Sequence, residues 1–244
     1  MQHSAPSDRL PFRVILADDH TLLRQALRLL LERHSEVSVV GEAADGYEAV
    51  ALAEHLRPDV VLMDINMPRL NGIEATRQIV KRYPGVRVII VSAYSERQQL
   101  VDAVRAGATG YLVKRSDIDE VILAVQMVRS GNPYFSAEIA GAMDVAEVMY
   151  DARAGTGQSA ADSLTARERE VVQLLAEGFT YKSCAAKLVV SEKTVEGHCA
   201  RAMAKLGAKS RADLVRAAVR DGIVGFRETG ESEPLRFPTK DLTG

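Results

Sequence analysis

The chain has no tryptophan, only two cysteines, and aromatic side chains at 5% of its 244 residues. Two cysteines, Cys184 and Cys199, are too few for a disulfide framework or a cysteine-held metal cluster. At helical spacing they read as small apolar core residues. No apolar run approaches the roughly 18 residues of a membrane span, so no membrane partner is expected. The stretch from Met1 to Arg9 lacks the apolar segment of a secretory leader. A cytoplasmic location is the expectation. No internal repeat and no glycine-rich nucleotide loop are visible. Charge of one sign is also missing overall, because the formal net charge is −2.

That near-neutral total hides an asymmetry. Residues 164–224 hold eleven basic and seven acidic residues, a net +4, which leaves −6 for the rest of the chain. A basic segment joined to an acidic one points to nucleic acid as a partner of the basic part. With 47% hydrophobic residues, the chain has enough apolar material for two cores.

The first half alternates strand and helix. Apolar runs at Phe12–Ala17, Val37–Gly41, Val60–Met63, Val86–Val91 and Gly110–Val113 predict five strands. Helical patterns fall near 20–33, 46–55, 71–82, 95–106 and 117–129, with Ser116 as the expected N-cap of the last. Connections of that length imply crossover helices, hence a parallel sheet covered on both faces. In such a fold the strand ends share one edge, where ligands bind. Asp18 and Asp19 end the first strand, Asp64 the third, Ser92 the fourth and Lys114 the fifth. Three carboxylates brought together repel one another unless a divalent cation joins them. With the backbone carbonyl of Asn66 they form an oxygen set suited to Mg²⁺. Lys114 and Ser92 add a positive charge and a hydroxyl suited to phosphate oxygens. Asp64 is the candidate acceptor of a phosphoryl group as an acyl phosphate.

The remainder divides at composition changes. Residues 1–10 and 225–244 read as disordered, 11–131 as the α/β domain and 132–163 as a weakly helical extension with a flexible linker. Residues 164–224 read as an all-α domain. It opens at the capping box Thr165-Ala166-Arg167-Glu168, with helices near 166–177, 181–188, 192–206 and 211–221. In the third of these, Val195, Cys199, Ala202 and Leu206 recur at core spacing. Lys193, Glu196, Gly197, Ala200 and Arg201 then lie on the opposite face.

Asp18-Asp19, Asp64, Ser92, Tyr111 and Lys114, in this order at strand ends, resemble the signature of the response-regulator receiver domain of two-component systems. The resemblance spans about the first 130 residues. It implies a flavodoxin-like (βα)5 fold, phosphorylation of Asp64 by a cognate histidine kinase, and Mg²⁺ held with the help of Asp18 and Asp19. It also implies pairing of Lys114 with the phosphate, and a joint switch of Ser92 and Tyr111 in which Tyr111 turns inward. The segments Leu164–Val172, Gly178–Ala185 and Leu188–His198 resemble the four-helix helix-turn-helix domain of the LuxR/NarL family. That implies double-stranded DNA as a partner, a phosphorylation-favoured homodimer and helix 192–206 in the major groove. DNA contacts are then expected from Lys182, Lys193, Thr194, Glu196, Gly197, His198, Arg201, Lys205, Lys209 and Arg211. Glu196 and Gly197 depart from the family pattern and favour a second reading, an effector acting through protein contacts. No enzyme beyond a self-dephosphorylating phosphoacceptor is expected.

Overall fold

The computed structural model describes residues 11–93, 95–154, 160–221 and 223–224. The termini expected to be disordered, and most of the expected linker, lie outside them.

Six parallel strands form one sheet in the order β2-β1-β3-β4-β5-β6. Five strands alternate with helices: β1 (Phe12–Ala17), α1 (Thr21–Leu31), β2 (Val37–Ala43), α2 (Gly46–Leu56), β3 (Val60–Asp64), α3 (Gly72–Arg82), β4 (Arg87–Ser92), α4 (Arg97–Ala106), β5 (Gly110–Val113) and α5 (Ile118–Arg129). Every residue of β3 is buried, as a central strand with helices on both faces demands. Val61 and Met63 enter one core while Val60 and Leu62 enter the other, because successive strand residues face opposite sides. The strand order reverses direction between β1 and β3, so the crevice of the fold opens beside Asp18 and Asp64.

Local sequence explains most helix starts. Asp45 and Asn71 cap α2 and α3 by accepting from the N–H groups of Glu48 and Glu74. For α5 the expected cap was Ser116, but Asp117 takes that role and accepts from Glu120 N–H at 2.8 Å. A carboxylate there also complements the positive helix terminus, which a serine cannot do.

The extension is more ordered than its sequence suggests. Gly131 sits at φ +88 beyond α5, a conformation that glycine adopts without strain. Tyr134 and Phe135 then form β6 on the open edge of β5. A two-residue strand is too short for any periodicity to reveal. Helices α6 (Ala137–Ala142) and α7 (Val145–Ala154) follow, and Ile139 and Val148 plug fully into the receiver core. Arg97 of α4 holds α7 through Asp151 at 2.7 Å and Glu147 at 3.4 Å.

A 3-10 turn (Ala160–Ser163) leads into α8 (Ala166–Ala176), α9 (Tyr181–Leu188), α10 (Glu192–Leu206) and α11 (Arg211–Arg220). The expected capping box opens α8, Ser191 caps α10 and Gly207 ends it. Their apolar faces meet in a separate core that includes both cysteines. The turn between α9 and α10 contains Val189 at φ 54, an uncommon place for a β-branched residue, and its side chain is exposed.

Candidate functional site

The strand-end residues converge as the parallel topology requires. Lys114 Nζ donates to Asp18 Oδ2 at 2.9 Å and lies 3.0 Å from Asp64 Oδ2. Ligand atoms of Asp18, Asp19, His20 and Asp64 all fall within 4.8 Å of one another. The cluster thus holds three carboxylates, of which one ammonium touches two, a surplus of negative charge with hard oxygen donors. That donor set fits Mg²⁺. Asn66 stands beside it, its backbone N–H donating to Asp64. The neighbour missed by sequence reasoning is His20. Its Nδ1 is 2.9 Å from Asp19 Oδ1, and its backbone N–H donates to Asp18 Oδ1 at 2.7 Å. A single His after a strand gave no signal of this.

Burial sets the electrostatics. Asp64 is buried, and desolvation pushes its carboxyl up. Lys114 opposes that shift and Asp18 adds to it, leaving the net direction upward. Lys114 is itself lowered by burial but raised more by the two carboxylates it touches. Each of these groups is charged at a real desolvation cost, which the contacts between them offset.

Ser92 Oγ and Tyr111 OH each donate to Gln99 Oε1 of α4 at 3.4 Å. Tyr111 already lies inside, 1% exposed, and burial pushes its hydroxyl up to about 12. The expectation that it turns inward on activation therefore finds it inward here.

The loop after Asp64 is fixed by a residue that no motif announced. A Cβ on Gly72 would stand 1.8 Å from the Asp64 carbonyl oxygen, so α3 begins in direct contact with the Asp64 backbone. Asn71 and Met67 of this loop are then gripped by the helical domain. Gln173 of α8, 3% exposed, accepts from Asn71 N–H at 2.9 Å and donates to the Met67 carbonyl at 3.0 Å. Asn71 Nδ2 donates to the Ile223 carbonyl at 2.6 Å, and Arg169 pairs with the buried Glu74 at 3.1 Å. The Tyr47 hydroxyl faces Glu170, and burial followed by that carboxylate raises its pKa.

On the helical domain, α10 buries Val195, Cys199, Ala202 and Leu206 and turns its other face outward. Lys182, Lys193, Thr194, Glu196 and Lys209 are exposed, with Gly197 and His198 half-buried beside them. A Cβ on Gly197 would meet only Arg201 Nη1, at 3.5 Å, so packing does not require glycine there. Three expected DNA-contact residues are engaged within the domain. Arg201 and Lys205 reach back to Glu168 at 3.4 and 2.6 Å. Arg211 donates to the carbonyls of Leu175 and Phe179. Arg201 also donates to His198 Nδ1 at 2.8 Å, one turn back along the same helix.

Two family models match the chain. Residues 14–126 match the response regulator receiver domain, and residues 162–218 match the bacterial regulatory proteins of the luxR family. The chain is 36% identical over 212 residues to the transcriptional regulatory protein YxjL of Bacillus subtilis, which covers 87% of this chain and 97% of that one. It is 35% identical over 213 residues to LiaR of the same species, covering 87% and 99%. The chain is a response regulator with a LuxR-type effector domain. Among solved structures, RcsB of Salmonella enterica serovar Typhimurium bound to a promoter matches with a TM-score of 0.55 and 25% identity, over 85% of this chain and 98% of that one. A LuxR-family regulator from Aurantimonas matches with 0.52 and 35%, over 59% and 99%. The regulator is thus a two-component transcription factor: a flavodoxin-like receiver joined to a helix-turn-helix DNA-binding domain. Among its described residues, no helix is long and apolar enough to cross a membrane.

Proposed function

We propose that Asp64 is the phosphoacceptor of this regulator. A carboxylate oxygen of Asp64 attacks the phosphorus of a phosphohistidine on the partner kinase. The P–N bond breaks and its electron pair returns to the imidazole. The observation that carries the reading is the Lys114 ammonium, set between Asp18 and Asp64 at 2.9 and 3.0 Å. It is already where an incoming phosphoryl oxygen needs a positive charge. Asp18, Asp19 and Asp64, with the backbone carbonyl of Asn66, would hold Mg²⁺. The ion, when bound, screens the phosphoryl charge. Helix α1 supports docking of a kinase helix next to the pocket: Leu22 is 82% and Leu29 67% exposed on one helical face. Slow loss of the phosphoryl group to water returns the protein to its resting state.

Two sets of contacts carry the signal outward. Phosphorylation draws Ser92 Oγ from Gln99 to the phosphate, which loosens α4 and the α7 helix that Arg97 ties to it. The same event shifts the Met67–Asn71 loop and weakens its grip on Gln173. The population moves from the closed domain pair to an open one that dimerises on DNA, with two α10 helices about one duplex turn apart. Lys182, Lys193 and Lys209 would meet backbone phosphates. Thr194, Glu196, Gly197 and His198 would face the groove. Arg201, Lys205 and Arg211 would join only by exchanging their internal partners for phosphate.

Incubation with acetyl phosphate and Mg²⁺ tests the site. One phosphoryl group per chain is expected by intact mass, absent in Asp64→Ala. Undiminished labelling in that variant refutes the assignment. DNA binding is tested by mobility shift with the regulator's own upstream region, where no salt-sensitive binding by the phosphorylated protein would favour the protein-contact reading.

A further inference from the structure

A cleft of about 770 Å³ opens where α3 and the end of α4 face the start of α8. Arg77, Lys81, Arg82 and Arg105 of the receiver and Arg167 and Arg169 of the effector line it. Two carboxylates share this lining, and both are spoken for. Glu74 pairs with Arg77 at 2.5 Å and Arg169 at 3.1 Å, and Glu170 with Arg167 at 2.7 Å. The lining thus carries a net +4 inside a chain of net −2. Lys81 and Arg82 are exposed and make no ion pair among the described residues. Their place in the last turn of α3 suits the helix dipole. Arg105 is likewise in the last turn of α4, but that explanation does not extend to Arg167 and Arg169, which reach the same space from the start of α8.

We propose that this interdomain cleft binds a small polyphosphorylated ligand, a nucleotide with two or more phosphates, and that the bound anion staples the two domains together. The volume falls within the roughly 300–1,000 Å³ of small-molecule sites. Guanidinium groups match phosphate oxygens two at a time, and an excess of four cations suits a ligand carrying several negative charges. Duplex DNA fits less well, because the cleft is walled by two domains and α10 contributes nothing to its described lining. A ligand that contacts both domains binds only the closed arrangement, so its binding opposes opening by mass action.

Isothermal titration of the full chain with inorganic tripolyphosphate, and separately with ATP, tests this at about 150 mM salt with EDTA present. Saturable binding at one site per chain is expected. The double variant Lys81→Ala/Arg82→Ala, altered only at exposed side chains, should bind at least about tenfold more weakly. Arg33→Ala, at an exposed arginine in the turn after α1, should bind as the wild type does. Gln173→Ala, which loosens the domain contact, should also bind more weakly, and unchanged affinity there would overturn the stapling. No saturable binding of either probe, or equal affinity in the double variant, would overturn the site. So would loss of duplex-DNA affinity in the double variant without any binding of tripolyphosphate, which would make the cleft part of the DNA surface.

Discussion

The carboxylate pocket and the outer face of α10 are built on opposite physical terms. In the pocket, charged groups are desolvated and each is held by the others: Lys114 touches two carboxylates, and Asp64 is only 3% exposed. On α10, Lys193, Thr194 and Glu196 stand in water, where a charge contributes little and acts almost independently of its neighbours. A change at the pocket should therefore be large and all-or-none. A change at the helix should be small and additive.

The sharpest way to break this contrast is Gly72→Ala. Its new methyl group would collide with the Asp64 carbonyl, so a loss of about 3 kcal/mol or more is expected, together with loss of labelling by acetyl phosphate. Urea denaturation and intact mass read both, and wild-type stability would show that α3 can slide at no cost. Next is Gln173→Ala, which strands the Asn71 N–H and the Met67 carbonyl inside the domain contact. At about 1–3 kcal/mol for a stranded buried group, the closed form should lose tenfold or more in population. Faster amide exchange at Asn71 and tighter DNA binding without phosphate are expected, and unchanged exchange would remove Gln173 from the route.

Smaller effects belong to the helical domain. Val189→Gly relieves a β-branched residue at φ 54 whose exposed side chain packs on little. Stability of that domain should rise by about 1 kcal/mol by thermal melting, and a fall would mean that the turn draws support from the valine. Glu196→Lys replaces an exposed carboxylate on the outer face with a cation. DNA affinity should rise modestly, and the slope of log affinity against log salt should steepen by about one. An unchanged slope would place Glu196 away from the phosphates.

The pocket was legible in the sequence because it follows from alternation. Short apolar runs joined by helices imply a parallel sheet, and a parallel sheet puts every strand end on one edge. Asp18, Asp19, Asp64, Ser92 and Lys114 needed no further information to be placed together. Helix α10 was legible as a helix for the same reason: Ser191, Gly207 and a period of three to four residues bound it. Its chemistry was less so, since Arg201, Lys205 and Arg211 looked free in sequence yet hold Glu168 and the α8–α9 turn.

The sequence by itself determined the elements, their caps and the edge at which the acids meet, because those depend on local periodicity and on residues a few positions apart. Only the tertiary structure decided what depends on approach between distant segments. β6 exists because β5 leaves an open edge for Tyr134 and Phe135. Gly72 matters because a backbone carbonyl stands where its side chain would be. Gln173 matters because an amide more than a hundred positions away finds both an unpaired donor and an unpaired acceptor in the loop after Asp64. Such pairings are fixed by the free energy of buried polar groups, which must find partners wherever folding brings them.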